Sequence, residues 1–382
     1  MQNAFIVELF DGVTDFRRTH LRRYHLTDVL FLCICASLCG ADAYTQIASF
    51  GEERHEWLKK FGAFATGIPS HDTIQRILEL LSPKELGPLL TRWSQTLSEL
   101  RPSEALAIDG KALRGTWKKS GKPGITLVSL WASEQRLCLG VEAVGPTGGE
   151  GAAAAVLLEL IALKGKIITA DAGFLSPSFC EQVLAQKADY IVTLKANQPT
   201  LLADAVACFE ETTADCSAKS VVYQSNTLEK NKGRVERREC LAICCKSAFL
   251  SEKAAAWPGL RTFIRINTHR AVRKAGGWTE EKQTRYYISS LPPESPVIQG
   301  IIRGHWGIEN QQHYVLDVTM NEDGSTIRSG HGAQNMALCR RIALNLARTN
   351  KPDKLSLKGA FFKAALSLDR LEDLLMGSKS DA

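Results

Sequence analysis

The sequence predicts an α/β chain, with a mixed sheet preceded by a small all-helical domain. Three observations predict it. Residues 1–100 carry helix signals and no strand pattern. From Arg101-Pro102 onward, three strand-like runs lead into alternating strand and helix signals, the pattern of a mixed sheet covered by helices. A basic, strand-like stretch at about 212–291 then forms a β-rich insertion. The expected domains are therefore 1–100 and 101–382, the second holding the insertion. A chain of 382 residues has room for both. With 45% hydrophobic and 23% charged residues, disorder, collagen and coiled coil are excluded as the main architecture.

Taken in order, His25-Leu26-Thr27-Asp28 leads into the apolar run from Val29 to Ala41, with Thr27 as the expected cap. That run falls short of the ~20 residues a bilayer span needs. It also begins too far from Met1, behind four arginines, for a signal peptide, so a buried helix and no membrane are expected. Short helices follow over Tyr44 to Phe50 and Glu53 to Phe61, then one entering from Ser70-His71. Ser82-Pro83-Lys84-Glu85 has the cap, first-turn proline and early acid of another helix start. Strands are expected at Glu104 to Asp109, Thr126 to Ala132, Gln135 to Val144, Lys166 to Asp171 and Asp189 to Lys195. Helices are expected at Glu150 to Leu163, Ser178 to Lys187 and Gln198 to Glu210. Ser295-Pro296 opens a helix through about Leu316, and the tail from Asn335 reads as helical and basic, with Arg340, Arg341 and Arg348.

Eleven cysteines, an odd number, are scattered without a disulfide rhythm or a zinc spacing. The clusters Cys33-x-Cys35-x3-Cys39 and Cys244-Cys245 lie in apolar stretches, where cysteine packs as a small hydrophobe. A reducing cytoplasmic compartment is expected. The formal charge of +6 does not by itself imply nucleic acid, so the placement of charge has to decide.

Three carboxylates occupy informative positions. Asp109 ends the first strand and Asp171 the fourth, and adjacent strand ends would set them side by side where α/β sheets bind ligands. Taken alone, Asp109 with Gly110 behind it reads as an ordinary turn. Glu309 shares a seven-residue spacing with Ile302 and Leu316, beside a stripe of Ile298, Ile301 and Ile308, so it is expected on the core-facing side. On or beside that stripe a cation or donor must meet it; the alternatives are a salt bridge to a buried arginine, or a place at the helix edge where it reaches water. Asp317 and Asp323 are spare acids, Asp317 a rival to Glu309. Such a set suits Mg²⁺, which takes carboxylate oxygens, waters and substrate phosphates. Two ions ~4 Å apart support in-line phosphoryl displacement. Gly110 to Ser133 holds Lys111, Arg114, Lys118, Lys119 and Lys122, and the five bases have no acid among the residues to Ser133 to neutralise them. No phosphate loop, HExxH, nucleophile elbow or dinucleotide fingerprint is present in the right context.

These residues resemble the H-repeat-associated family of bacterial insertion-sequence DDE transposases, from about Asp15 to Arg348. The resemblance runs through Gly67-Ile-Pro-Ser-His-Asp-Thr-Ile74, Ile108-Asp-Gly-Lys-Ala-Leu-Arg114, Ile168-Thr-Ala-Asp-Ala172 and Leu194-Lys-Ala-Asn-Gln-Pro-Thr-Leu201. Its most specific block is Arg303-Gly-His-Trp-Gly-Ile-Glu-Asn310, followed by His313 and Leu316-Asp317-Val318. It implies a ribonuclease-H-like catalytic domain behind an associated N-terminal domain, with Asp109, Asp171 and Glu309 as catalytic and metal-binding residues. It implies two Mg²⁺ ions, replaceable by Mn²⁺. It further implies cleavage at element ends, transfer of the 3′-hydroxyl into target DNA, and a homo-oligomer on terminal inverted repeats. The implied place is the bacterial cytoplasm, on the nucleoid. Related enzymes have an Arg four residues before the Glu and a Lys seven after it, where this chain has His305 and Leu316, so those roles do not carry over. After Asp171 the sequence Ala-Gly-Phe also departs from the family.

The expected DNA contacts are Lys111, Arg114, Lys195, Asn197, Arg303 and His305, with Arg234, Arg237 and Arg238 from the basic insertion. His305 and His313 are read as DNA-facing or supporting residues rather than ligands, because imidazole suits softer metals. Trp306 is read as core rather than base-stacking. Two rival functions share these residues: an immobile DNA-binding protein without catalysis, and a stand-alone metal-dependent nuclease.

Overall fold

The computed structural model describes residues 10, 12–61, 64–97, 101, 103–117, 124–145, 147–214, 221–231, 233–245, 250–274 and 277–377. Lys118, Lys119, Lys122 and Lys232 lie outside them. The chain divides into two compact units. One comprises Met1–Leu100, Gly110–Leu160 and Gly307–Ala382, the other Arg101–Asp109 and Ile161–Trp306.

In the first unit, α1 (Leu26–Leu38) is buried from Val29 to Leu38, as its continuous apolar sequence requires. Its cap is His25, two residues ahead of the expected Thr27. α2 (Tyr44–Glu53), α3 (His55–Lys59), α4 (His71–Leu80) and α5 (Pro83–Leu97) complete the N-terminal helices. Ser70 caps α4 through Thr73, and Ser94 of α5 donates to the carbonyl of Leu139 at 2.9 Å. β1 (Ala105–Ala112) crosses the boundary between the units, so the strand continues through Gly110 and the expected turn after Asp109 is absent. β2 (Thr126–Ala132) and β3 (Leu137–Ala143) form an antiparallel hairpin with a bulge between Leu130 and Trp131. α6 (Gly149–Glu159) follows.

The second unit begins with the N-terminal half of β1, which pairs in parallel with β4 (Ile167–Ala170). After α7 (Pro177–Ala185), β5 (Asp189–Leu194) pairs in parallel with β4. α8 (Pro199–Ala214) leads into β6 (Val221–Asn231) and β7 (Arg234–Cys244). The short α9 (Glu252–Ala255) precedes β8 (Thr262–Lys274) and β9 (Gly277–Ser289). β6 to β9 pair antiparallel in sequence, and β9 pairs antiparallel with β5. The expected β-rich insertion is thus four strands that extend the main sheet. With β1 common to both units, the strand order is β3-β2-β1-β4-β5-β9-β8-β7-β6. This is a mixed α/β, ribonuclease-H-like architecture.

α10 (Ile298–Gly307) lays Ile298, Ile301 and Ile302 on Ala105, Ile167, Ile191 and Ile264, the apolar core of the second unit. Beyond Gly307 the chain, now in the first unit, is π-helical over Ile308–His313 and again over Val315–Thr319. α11 (Gly332–Asn350) is buried along most of its length. Its Asn345 both accepts from the Cys138 amide at 3.0 Å and donates to the Cys138 carbonyl at 2.8 Å, satisfying the outer edge of β3. Arg340 and Arg341, read from sequence as a basic tail, are 2% and 0% exposed. α12 (Leu357–Leu366) and α13 (Leu368–Met376) finish the described chain. The described cysteines are all free thiols, most of them buried. No helix among the described residues is long and apolar enough to cross a membrane.

Candidate active site

Parallel pairing sets two carboxylates abreast. Ile108 is the register partner of Ala170, so Asp109 and Asp171 occupy the next position on each strand. Alternation puts both on the face that carries Ala105 and Ile167, the face covered by α10. Gly110 has a packing reason: a Cβ there would run into the Glu150 carboxylate.

Asp171 is extended and leads into a 3₁₀ turn over Ala172–Phe174. The loop after β5 is clamped to this turn. Asn197 donates to the Ala172 carbonyl at 2.7 Å and Gln198 to the Leu175 carbonyl at 3.2 Å. Lys195 turns its ammonium onto Asp171, with Nζ 2.9 Å from Oδ1 and 3.0 Å from Oδ2. Partial burial pushes the Asp171 carboxyl up, but the hydrogen bond and charge of Lys195 outweigh it and hold the group below its usual range. Lys195 and Asn197, assigned to DNA from sequence, thus both engage the Asp171 segment.

His305, the last turn of α10, joins Thr169 of β4 through a 2.9 Å hydrogen bond at Nδ1. Burial pulls the imidazole down to about 4, against the opposing pull of the Asp171 charge. A neutral, inward-facing ring does not fit the expected phosphate contact. Arg303, on the exposed side of the same helix, reaches Glu229 of β6 at 3.1 Å. Trp306 is half-buried, with the Arg285 guanidinium 4.5 Å from its ring centre.

Glu309 lies in the first unit and is exposed, while Ile308 and Leu316 are buried. The expected core-facing register fails because π-helical turns, closing i to i+5, break the seven-residue phase of an α-helix.

Lys111 has changed role as well. Its side chain is 5% exposed, and Nζ meets Asp317 at 2.6 Å, Asp323 at 3.1 Å and Glu322 at 3.4 Å. Lys111 and Arg114 do have counter-charges, supplied from far along the chain, and the Lys111 ammonium is turned onto them. Asp317, the rival ligand, is held by Lys111. Glu322 is 3% exposed and also takes Arg341 at 2.8 Å. Burial pushes the Glu322 carboxyl up, but Arg341 and Lys111 hold it below its usual range. Sequence reasoning did not single out Glu322. Arg114 remains largely exposed and reaches Asp323 only at 3.5 Å.

The basic insertion is sorted by strand alternation. On β7, Arg234, Glu236 and Arg238 point to one face, and Glu236, 3% exposed, pairs with both arginines and with Arg270 of β8. Arg238 also meets Glu229 at 2.8 Å. Arg237 points to the opposite face and is exposed, between Leu228 and His269 in register. Two of the three expected DNA arginines, Arg238 and the still exposed Arg234, therefore pair with a buried acid, and Arg237 faces solvent on the opposite side.

Among the described residues, no three His, Cys, Asp or Glu side chains converge in a group that would hold a metal ion. The carboxylates on β1 and just after β4 are nevertheless oxygen donors, the type a hard cation takes. Asp109 and Asp171 offer carboxylate oxygens at one level of the sheet, and Asp171 already holds a cationic ammonium between both oxygens.

Residues 100–346 match the transposase DDE domain family, and residues 7–94 match the domain associated with it. The chain is 32% identical over 99% of both chains to "H repeat-associated putative transposase YhhI" of Escherichia coli K12. It is 34% identical to "Putative transposase YncI" of Escherichia coli O157:H7, over 97% of this chain and 94% of that one. A shorter relative, "Inactive transposase YbfQ" of Escherichia coli K12, is 42% identical over 20% of this chain and 93% of its own.

Proposed function

Because the chain belongs to the DDE transposase family, we propose that it cleaves the ends of an insertion element and joins the freed 3′-hydroxyls to target DNA. The observation that carries this reading is the register of Asp109 and Asp171 on neighbouring parallel strands, with a cation on Asp171. Asp109, Asp171 and Glu309 are the residues that would hold Mg²⁺, with Mn²⁺ able to replace it. A pair of such ions supplies activation of the attacking oxygen and charge neutralisation at the leaving oxygen.

The chain's own residues prepare the site. Asn197 and Gln198 fix the turn behind Asp171. His305, neutral at physiological pH and bonded to Thr169, ties α10 to β4 without adding charge beside Asp171. Glu309 follows His305 by four residues and is exposed, as a ligand to a substrate-facing ion needs to be. Arg114, Arg237 and Arg303 are exposed bases suited to backbone phosphates. In the first reaction, water oxygen bonds to phosphorus as the bond to the 3′-oxygen breaks, leaving a 3′-hydroxyl and a 5′-phosphate. In the second, that hydroxyl bonds to a target phosphorus, releases its proton and displaces a target 3′-oxygen. The active form is a homo-oligomer holding both element ends.

The test incubates the protein and Mg²⁺ with DNA carrying the sequences that flank its reading frame on both sides, plus a plasmid target. Covalent joints between element end and plasmid are expected. Nicking without joints favours the nuclease reading. Sequence-selective binding without nicking favours the immobile reading.

A further inference from the structure

We infer that Lys195 is a built-in competitor for the cation site, occupying the Asp171 carboxylate until a divalent ion displaces it. The inference rests on the metal-site reading above and concerns how that site is loaded.

Four observations carry it. First, the ammonium addresses both carboxylate oxygens, at 2.9 and 3.0 Å, so it covers the lone pairs a metal ion needs. Second, Lys195 is presented from the end of β5, the strand beside β4, on the same sheet edge as Asp171. Third, the loop does not depend on this pair for its shape. Asn197 and Gln198 already clamp it to the turn after Asp171 through two hydrogen bonds. Fourth, the side chains of Lys195 and Asp171 are 58% and 47% exposed, so the ammonium can swing into water on its flexible stem while Asp171 stays in place.

Physical chemistry then sets the consequence. Without a divalent ion the ammonium neutralises the Asp171 carboxylate. A divalent ion must displace it, so the exchange weakens apparent metal affinity by the strength of the ion pair. Exposed pairs of this kind are modest, so the effect amounts to roughly three-fold. After displacement the lysine remains beside the site as a free cation for substrate phosphate.

The test measures Mn²⁺ binding to the intact protein without DNA, by electron paramagnetic resonance of the free ion. Wild type is compared with Lys195→Met, Lys195→Arg, Asp171→Asn and Lys164→Met. Lys164 is exposed just before β4, at the opposite end from Asp171, so its removal changes the net charge equally. The expected result is binding roughly three-fold tighter in Lys195→Met. Lys195→Arg should stay close to wild type, Lys164→Met unchanged, and Asp171→Asn much weaker. Unchanged or weaker binding in Lys195→Met, or equal tightening in Lys164→Met, overturns the inference while leaving the metal site standing. No binding by wild type, or binding indifferent to Asp171→Asn, overturns the metal site and the inference together.

Discussion

The ring of His305 and the hydroxyl of Thr169 lie 2.9 Å apart, two residues before Asp171 on the same strand. This contact gives the helix before Glu309 a fixed point on β4. Burial pulls the imidazole down to about 4, whereas in the unfolded chain it titrates near ~6.5. Between those values the unfolded chain binds a proton that the folded ring refuses. His305 therefore costs nothing above pH ~6.5, and its presence lowers stability as pH falls toward 4. Denaturation midpoints against pH should fall more steeply for wild type than for His305→Gln in this window. Equal slopes, or a ring that titrates near its ordinary value by NMR, would contradict the contact.

Glu322 anchors the charge cluster of the first unit. It is 3% exposed and serves both Arg341 and Lys111. Glu322→Gln leaves the buried Arg341 without its carboxylate partner, while Lys111 keeps Asp317 and Asp323, and should cost about 3–5 kcal/mol of unfolding free energy. Arg114→Gln, at the exposed margin of the same cluster, should stay within about 0.5 kcal/mol. Urea denaturation of the two variants checks the contrast. Similar losses would mean that the cluster is not organised around Glu322.

Much of the sheet was legible in the sequence, for a definite reason. Thr126–Ala132 and Asp189–Leu194 are apolar, β-branched runs bounded by turn residues, and their observed limits match expectation within a residue. The strands that carry Asp109 and lead into Asp171 followed from the same reading, although β1 runs on to Ala112 rather than ending at Asp109. What was not legible depends on tertiary partners or on phase. Lys111 and Asp323 are separated by 212 positions, so no local window pairs them. Asp109-Gly110 has the composition of a turn, yet the glycine serves close packing against Glu150 inside a continuing strand. Glu309 was placed by α-helical periodicity, which the π-helical stretch from Ile308 breaks.

On the insertion, alternation separates arginines that sequence treats alike. Arg237 is exposed, whereas Arg234 and Arg238 pair with buried Glu236. Arg237→Gln should flatten the salt dependence of DNA affinity, changing the slope of log affinity against log salt by about 0.9. Its melting temperature should be unchanged. Arg238→Gln should instead lower the melting temperature, with a smaller effect on the slope. Fluorescence anisotropy across a salt series measures both. A normal slope in Arg237→Gln would move the DNA path away from that face of the insertion.

The proposed function requires that Asp109, Asp171 and Glu309 serve one cation. Iron-directed hydroxyl-radical cleavage tests it without reference to DNA chemistry. Fe²⁺ is loaded in place of Mg²⁺, the backbone is cut with ascorbate and peroxide, and the fragments are mapped. Cuts are expected near all three residues in the wild type, all suppressed by excess Mg²⁺ and by Asp171→Asn. Cuts near Asp109 and Asp171 with none near Glu309 would contradict it, and would leave a two-carboxylate site in place of the triad.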